Sequence, residues 1–459
     1  MRYLSTRGSC PAVDFAGALL GGVAPDGGLY VPEEWPSVDV HPSVERYTDV
    51  AVEVLGPYVA PDLGREELQA LVEEAYATFD HEEVCPVRPL EDGLWLLELY
   101  WGPTLAFKDV ALQLVGRLFD RELARRDERA TVLVATSGDT GSSAIEACRG
   151  RDRLDIVVLH PAGRVSEVQR RQMTTVDAPN VHNVAVDGDF DDCQDLVKAC
   201  FADAALRSDL RLTAMNSINW ARVMSQVVYY VTAAAQVAPD GPVSFAVPTG
   251  NFGNVLAGWV AAQGGVDVDR FIVGTNRNDI LARWIDRGVM EMEGVEPTLS
   301  PSMDIQVSSN VERYLWELYG RTGAVVAEAM AELRSTGRLD IGQARLDRVR
   351  GSFSASRVDD DATRAEIRRV HESTGRLIDP HTAVGVAAAR AVPADPDIPR
   401  VVLATAHPAK FPDAVEQATG IRPPLPEHLA DLLDRPERSD SLAADPATLA
   451  DYLRATVPT

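Results

Sequence analysis

The chain has 459 residues, of which 46% are hydrophobic and 25% charged, which is typical of folded proteins with two or three domains and not of disordered chains. Its net charge of −25 argues against nucleic acid and anionic membranes as partners, because both need a basic surface. The apolar runs are too short to cross a membrane, and Asp14 and Gly17 interrupt the first one, so we expect no signal peptide. The five cysteines are an odd number without CxxC spacing, which favours a reduced, cytoplasmic setting.

The first 90 residues combine glycine- and proline-rich turns with a helical pattern over 65–79. From about residue 94 onward, short apolar runs alternate with helical segments. Continuous apolar runs of this kind are typical of buried parallel strands. Repeated strand–loop–helix units indicate an α/β fold with two open, twisted parallel sheets that carry helices on both faces. The predicted strands lie at 95–100, 131–136, 155–160, 243–249, 270–275 and 400–405.

Three of the strand-to-helix loops contain residues suited to binding an anion. The loops at 137–141 (SGDTG) and 250–254 (GNFGN) place glycines before a helix, where backbone N–H groups and the helix dipole attract negative charge. The third loop follows the strand at 400–405 and carries Thr405, His407 and Lys410. Neither glycine loop has the GxGxxG spacing of dinucleotide-binding proteins, and no lysine follows a glycine, as a Walker A loop requires. HExxH and GxSxG motifs are also absent from the sequence, and we expect no metal ion.

The chain contains only three lysines, although Lys and Arg together total 44. Lys198 lies about one turn after Asp195 in a helical pattern, which predicts a surface ion pair. Lys108 precedes a helical apolar pattern over 111–119, so it lies near a helix N-terminus, where the dipole disfavours a cation by about 0.3–1 kcal/mol. A guanidinium cannot replace an amine nucleophile, because its pKa lies above about 12. Lys108 is therefore the candidate for a Schiff base, with Lys410 as the reserve.

Motifs along nearly the whole chain resemble those of one enzyme family, in the family's order. They are STRG (5–8), APDGGLYVP (24–32), PTLAFKD (103–109), ATSGDTG (135–141), GRVSEVQRRQM (163–173), NSINWAR (216–222), PTGNFGN (248–254) and ATAHPAKF (404–411). Together they resemble the pyridoxal-phosphate-dependent threonine synthases of the long, bacterial and fungal type, which have fold type II, the fold of the tryptophan synthase β chain. One position departs from the family pattern, because Val311 stands where an aromatic residue is expected after an asparagine.

The resemblance implies pyridoxal 5′-phosphate as the cofactor and a particular domain organisation. An N-terminal helical and irregular region (1–90) would precede a large cofactor-binding domain (91–128 and 235–425). A small α/β domain (129–234) would be inserted into the large one, and a peripheral tail (426–459) would end the chain.

The resemblance also implies a role for each loop. Lys108 would hold the cofactor as a Schiff base and then transfer protons. Thr405 would bond to the pyridine nitrogen, and the cofactor phosphate would lie on the backbone of Gly250, Asn251, Phe252, Gly253 and Asn254. Asp139 would meet the cofactor's 3′-oxygen or the substrate's α-carboxylate, although related enzymes often have asparagine there. A lone carboxylate would repel the substrate, so we expect Asp139 to be paired, protonated or turned away.

The implied substrate is O-phospho-L-homoserine, which would react with water to give L-threonine and phosphate. The enzyme would remove the α- and β-protons, release phosphate from Cγ and add water at Cβ. The substrate's phosphate calls for cationic and hydroxyl donors. A solvated basic helix face explains the arginines of 163–173 and 216–222 equally well. The candidate substrate-binding residues are Ser137, Gly138, Thr140, Arg164, Ser166, Arg170, Arg171, Asn216, Ser217, Asn219, Arg222 and Lys410.

Other functions remain open at this point. A phospholyase or amino-acid dehydratase on the same scaffold would yield 2-oxobutanoate and ammonia in place of threonine. A cofactor-binding homologue would show no turnover, and a nucleotide-binding α/β protein would show no visible chromophore. We expect a small-molecule substrate, no nucleic-acid or membrane partner, and a monomer or small homo-oligomer. Asp379 or His381 is expected to cap a helix, and His407 to make a structural hydrogen bond.

Overall fold

A computed structural model describes residues 1–38, 46–393 and 395–458 of the chain. The strands within these residues are β1 (Tyr3–Ser5), β2 (Tyr30–Pro32), β3 (Val87–Glu91), β4 (Leu94–Glu98), β5 (Ala130–Ala135), β6 (Leu154–Pro161), β7 (Val181–Asp187), β8 (Leu212–Thr213), β9 (Val243–Pro248), β10 (Val268–Thr275), β11 (Val289–Glu291), β12 (Arg338–Asp340), β13 (Phe353–Arg357), β14 (Arg400–Ala404) and β15 (Asp440–Ala443). All six predicted strands are present, with ends that differ by a residue or two from the predicted ones.

The α-helices of the described residues are α1 (Phe15–Gly21), α2 (Tyr47–Val59), α3 (Arg65–Tyr76), α4 (Lys108–Arg126), α5 (Asp139–Cys148), α6 (Glu167–Thr174), α7 (Phe190–Ala202), α8 (Ala204–Asp209), α9 (Trp220–Val237), α10 (Gly253–Gln263), α11 (Ile280–Arg287), α12 (Val311–Leu318), α13 (Gly323–Thr336), α14 (Gln343–Ser352), α15 (Asp360–Thr374), α16 (Pro380–Ala391), α17 (Pro412–Thr419) and α18 (Pro446–Thr456). Short 3₁₀ turns occupy Pro301–Met303, Pro408–Lys410 and Glu427–Leu429. No helix in these ranges is long and apolar enough to cross a membrane.

The larger sheet has the strand order β13-β10-β9-β14-β4-β3 and is parallel except for β3, which runs antiparallel to β4. All six residues of β9 are buried, because helices cover both faces of the sheet. Phe245 of β9 and Val401 of β14 contribute to one apolar cluster, while Ala246 and Val402 contribute to the cluster on the other face, beside α16. The predicted class, an α/β protein with helix-covered parallel sheets, is confirmed.

The smaller sheet is parallel throughout, with the order β15-β7-β6-β5-β8. Within the segment expected to form a peripheral tail (426–459), Asp440–Ala443 pairs with β7 as an edge strand. Helix α18 follows that strand and buries Leu449 and Leu453 in the apolar cluster of this sheet. This strand was not predicted, because three of its four residues are exposed and it lacks the apolar run of a central strand.

The N-terminal region packs against α9 and α12 through its first strand and its helices. Tyr3 and Tyr58 place their rings 6.3 and 5.9 Å from that of Trp220, at the start of α9. Arg7 donates to Glu312 of α12 at 2.9 Å. Strand β3 already belongs to the larger sheet, so this sheet begins at Val87, slightly before the predicted boundary at residue 91.

Candidate active site

Lys108 is the first residue of α4, and only 8% of its surface is exposed. Its Nζ donates to Oδ2 of Asp139 at 3.2 Å and to Oγ of Ser302 at 3.3 Å. Burial lowers the pKa of Lys108, the Asp139 carboxylate acts in the opposite direction, and the Lys410 and Arg222 cations lower it further. The amine is therefore held in a polar pocket where its uncharged, nucleophilic form is easier to reach than in solvent.

The chain around Lys108 is fixed to the loop that follows β14. Phe107 donates its backbone N–H to the carbonyl of Thr405 at 2.9 Å, and His407 donates to the carbonyl of Leu105 at 3.0 Å. Leu105 has a φ of 62°, a left-handed conformation that non-glycine residues rarely adopt. Such strain persists only where the surroundings enforce it. These bonds enforce it here and set the direction in which Lys108 enters the pocket.

Asp139, the first residue of α5, is the centre of the polar cluster. Its Oδ1 accepts from Nε2 of Gln169 at 2.8 Å and pairs with Nζ of Lys410 at 3.0 Å. Its Oδ2 accepts from Lys108 and, at 3.2 Å, from Oγ of Ser302. Burial alone would raise the pKa of Asp139, but the two lysines outweigh burial and hold that pKa well below its ordinary value. Of the three expectations for this carboxylate, the structure selects pairing.

Lys410 is the main structural counter-ion of Asp139. It lies in the 3₁₀ turn Pro408–Lys410, has no exposed surface, and donates to the carbonyl of Thr104 at 2.6 Å. The same turn is capped by His407, whose Nδ1 accepts the backbone N–H of Ala409 at 3.1 Å. Burial lowers the pKa of His407 to about 4, so this histidine is neutral. The predicted structural role of His407 is confirmed.

Two residues of this cluster were missed by sequence reasoning. Ser302 lies 194 residues after Lys108, and no feature of the sequence relates the two. Gln169 belongs to the motif GRVSEVQRRQM. It is the third residue of α6 after the cap Ser166, and the third residue of a helix faces its cap, so this spacing could have predicted that the two residues lie together. The Cβ of any residue at Gly138 would lie 2.5 Å from Cδ of Gln169, so the glycine is required for this contact.

The loop at 250–254 forms the N-terminus of α10. In the part of the chain that the structure describes, none of its five backbone N–H groups donates to a protein acceptor. Phe252, the residue before α10, has a φ of 61°. This left-handed conformation turns the backbone at the start of the helix, where the N–H groups of the loop lie. The Cβ of any residue at Gly250 would lie 3.0 Å from Cα of Met303, so the loop packs directly against the turn that carries Ser302.

Side chains near this loop leave polar atoms unpaired. Asn254 accepts from the hydroxyls of Tyr229 and Tyr230 at 2.6 and 2.9 Å, but its buried Nδ2 has no partner among the described residues.

In the other glycine loop, at 137–141, Thr136 accepts the N–H groups of Gly138 and Gly141 at 3.0 and 2.9 Å. The N–H groups of the three remaining loop residues, at 137, 139 and 140, have no protein acceptor within the described ranges.

Arg222 is a buried cation that has no carboxylate partner among the described residues. It is 4% exposed, its Nη1 reaches the carbonyl of Met215 at only 3.4 Å, and its Nε has no hydrogen-bond partner within the described ranges. Burial lowers the pKa of Arg222 to about 10. A buried guanidinium without a carboxylate is costly unless an anion from outside the chain completes its hydrogen bonds.

The other predicted substrate residues fall into two groups. Asn216 and Ser217 are half-buried in the loop before α9, close in sequence to Arg222. Asn219 uses its amide in the fold, because it caps α9 and donates to the carbonyl of Leu19 at 2.8 Å. Arg164 is exposed, and Ser166 caps α6.

The two arginines of α6 form ion pairs within the chain, which does not support a role for them in binding the substrate. Arg170 pairs with Glu437 at 2.7 Å, and Arg171 pairs with Glu167 at 3.3 Å. These pairs tie α6 to the C-terminal segment and to its own first turn. Lys198, which was expected on the surface, pairs with Asp195 at 2.8 Å with 70% of its side chain exposed, so this prediction is confirmed.

Comparison with known proteins decides the family. Residues 83–405 match the family described as pyridoxal-phosphate dependent enzyme, residues 2–76 match the threonine synthase N terminus, and residues 382–453 match the threonine synthase C-terminal region. The threonine synthase of Pseudomonas aeruginosa is 49% identical over 99% of this chain and 98% of its own length. The chain belongs to the threonine synthase family. Another threonine synthase, from Corynebacterium glutamicum, is 43% identical over 99% of this chain and 98% of its own.

A solved structure supports the same conclusion for the fold. The crystal structure of threonine synthase from Brucella melitensis with bound pyridoxal phosphate has a TM-score of 0.96 to this chain, with 48% identity and 100% of both chains covered. This threonine synthase family member is therefore a pyridoxal-phosphate-dependent enzyme of fold type II.

The residues present fit this cofactor. A buried amine at Lys108 matches the aldehyde, and the unpaired N–H groups at 250–254 match the phosphate. Thr405 is 5% exposed, and its backbone carbonyl accepts a hydrogen bond from Phe107, the residue before Lys108. The chain thus offers an amine, backbone N–H groups and a hydroxyl that suit the aldehyde, the phosphate and the ring nitrogen of the cofactor.

Proposed function

We propose that the chain converts O-phospho-L-homoserine and water into L-threonine and phosphate. The observation that supports this substrate is the buried guanidinium of Arg222, which lies close enough to Lys108 to depress its pKa and lacks an anionic partner among the described residues. A phosphate monoester supplies the negative charge and the oxygens that such a group needs. An unphosphorylated amino acid would leave Arg222 uncompensated, so the site favours a phosphorylated substrate.

Each polar group of the site then has a task. Pyridoxal phosphate, when bound through Lys108, supplies an electron sink that stabilises negative charge next to the substrate's reacting carbons. Lys108 carries the amine that removes and returns the proton at the α-carbon. Lys410 keeps Asp139 ionised, and this carboxylate would face the cofactor bound at Lys108. The N–H groups of Gly250–Asn254 would hold the cofactor phosphate, and Thr405 would offer its hydroxyl to the pyridine nitrogen.

The substrate's two anionic ends are assigned to different loops. We place the α-carboxylate on the free N–H groups of Ser137 and Thr140, with Gly138 making room for Gln169 behind them. The phosphate lies on Arg222, with Asn216 and Ser217 as polar neighbours. Arg164, Ser166, Asn219 and Lys410 are assigned to other roles, because each is solvent-exposed or committed to bonds within the chain.

A product assay distinguishes this function from that of a phospholyase or dehydratase on the same scaffold. The purified protein is incubated with O-phospho-L-homoserine, and phosphate, threonine, 2-oxobutanoate and ammonia are quantified. Threonine released in equal amount to phosphate supports the synthase. Phosphate released with 2-oxobutanoate and ammonia would assign the chain to the second class.

Arg222→Met tests the substrate assignment. We expect kcat/KM for the phosphorylated substrate to fall by about 100-fold or more, because the loss of a buried, charge-assisted contact costs about 2–5 kcal/mol. Cofactor content should not change. Arg164→Met, at an exposed arginine of the same chain, is the control and should leave kcat/KM nearly unchanged. Equal effects of the two substitutions would reject the role of Arg222.

We infer a cytoplasmic location and a monomer or small homo-oligomer. The five cysteines, at positions 10, 85, 148, 193 and 200, are all free thiols in the structure, which supports a reducing compartment.

A further inference from the structure

The same helix-capping sequence occurs twice in this chain. Asp379-Pro-His-Thr begins α16, and Asp445-Pro-Ala-Thr begins α18. In both, the aspartate accepts from the backbone N–H and the hydroxyl of the threonine three residues later. Because the capping contacts are alike, the second copy shows what this sequence does when it serves only as a cap.

The copy at α16 has an additional feature, the imidazole of His381. Asp379 has no exposed surface, and its Oδ2 lies 2.7 Å from Nδ1 of His381, whereas Asp445 is exposed and has alanine at the equivalent position. His381 is 3% exposed, and its ring packs 4.8 Å from that of Phe411, the neighbour of Lys410. The pair is therefore buried beside the polar cluster, at a depth that a cap alone does not require.

The hydrogen bonds of His381 determine which nitrogen carries its proton. Ser302 donates its backbone N–H to Nε2 of His381 at 3.3 Å. An N–H group cannot accept a hydrogen bond, so Nε2 must be unprotonated, and the proton of the neutral ring lies on Nδ1 and is donated to Asp379. The carboxylate and the backbone N–H thus select one tautomer between them.

Ser302 transmits this constraint to the active site. Its Oγ donates to Asp139 and accepts from Lys108, at 3.2 and 3.3 Å. The residue after it, Met303, packs on Gly250 of the loop proposed to hold the cofactor phosphate. A shift of the turn Pro301–Met303 would therefore displace a partner of the reactive amine and a wall of the phosphate loop together.

We propose that the Asp379–His381 pair is a positioning device for the cofactor site. Asp379 fixes the imidazole in the tautomer whose Nε2 holds the backbone of Ser302, and this bond keeps the serine hydroxyl on Lys108 and Asp139. His381 is a positioning residue, because it acts through Ser302 and touches neither the amine nor the carboxylate. The proposal rests on the proposed seat of the cofactor at Lys108, but its first test does not need the cofactor.

The first measurement is the ¹⁵N NMR spectrum of ring-labelled histidines in the cofactor-free protein, with the His381 signals assigned by their loss in His381→Gln. We expect a neutral ring with the proton on Nδ1 at neutral pH. A proton on Nε2, or a charged ring, would overturn the proposal, because Nε2 could not then accept from Ser302.

The second measurement compares His381→Gln with His381→Leu. The two side chains are similar in size, but only glutamine offers an oxygen near the position of Nε2. We expect glutamine to keep the cofactor dissociation constant and the position of the yellow absorption band near those of wild type. Leucine should raise the constant by about 5- to 100-fold and shift the band, because a buried N–H group loses its acceptor. Equal behaviour of the two variants would reject the proposal.

The duplicated cap supplies the control. Asp379→Ala and Asp445→Ala each remove the capping contacts to the threonine three residues later, so both should destabilise the fold. Only Asp379→Ala should weaken cofactor binding. If both variants bind the cofactor as wild type does, Asp379 is a cap and nothing more. If Asp379→Ala does not fold, the NMR experiment and the glutamine–leucine pair decide the question without it.

Discussion

Replacing Lys410 by methionine removes the counter-ion that Asp139 keeps when Lys108 is bonded to the cofactor. Two unit charges 3.0 Å apart, the Nζ–Oδ1 separation, attract by about 5.5 kcal/mol at an effective dielectric constant of 20. Removing one partner of a buried pair typically costs about 3–5 kcal/mol. Asp139 retains Lys108 at 3.2 Å in the cofactor-free protein, so we expect the lower end, about 3 kcal/mol.

The assay is a double-mutant cycle of Lys410→Met and Asp139→Asn, read from urea unfolding of the cofactor-free protein at pH 7. The control cycle is Lys198→Met with Asp195→Asn. That pair is closer, at 2.8 Å, but about 70% of each side chain is exposed, so its coupling should be about 0.3–0.5 kcal/mol. The coupling energies of the two cycles should therefore differ because of burial and not because of distance.

The pH dependence has a definite sign. The pKa of Asp139 is lower in the folded protein than in the unfolded chain, so its stabilisation is complete above the unfolded value of about 3.9. It is lost as the pH falls through the folded-state pKa. A coupling of less than about 1 kcal/mol between Lys410 and Asp139 at pH 7 would refute the claim that the buried pair neutralises the cofactor site.

Three substitutions test the electrostatics and the packing of the site. The pKa of Lys108 should rise in Arg222→Met, which removes a nearby cation, and fall in Asp139→Asn, which removes an anion. Both shifts are measured by the pH dependence of pyridoxal incorporation into the cofactor-free protein. Shifts of the pKa in the same direction would contradict the assignment. Gly250→Ala should raise the cofactor dissociation constant about tenfold, because its Cβ would meet a backbone Cα at 3.0 Å. Gly241→Ala is the matched control, since its Cβ has no neighbour within 4 Å.

The sequence predicted the parts of this site that depend on local patterns. Strands β9 and β14 are continuous apolar runs, so the loops after them could be located, and with them Gly250–Asn254 and Thr405. Lys108 could be placed at a helix start from the apolar spacing of α4 and from the rarity of lysine. These inferences succeeded because they needed only periodicity and residue chemistry.

Contacts between distant segments could not be predicted in the same way. Ser302 meets Lys108 only because a 3₁₀ turn far along the chain packs on Gly250. Asp379 was expected to cap a helix and does, but the cap sequence gave no sign that His381 also reaches Ser302. Strand β15 was missed because an edge strand with exposed residues lacks the apolar run that identifies the central strands.

The most direct test of the central claim is to reduce the yellow protein with borohydride, digest it and identify the modified residue, with Lys108→Ala analysed in parallel. We expect the reduced cofactor on Lys108, and we expect the alanine variant to lose both the reducible band and turnover of O-phospho-L-homoserine. Label on Lys410 or Lys198, or a Lys108→Ala enzyme that stays yellow, reducible and fully active, would contradict the account.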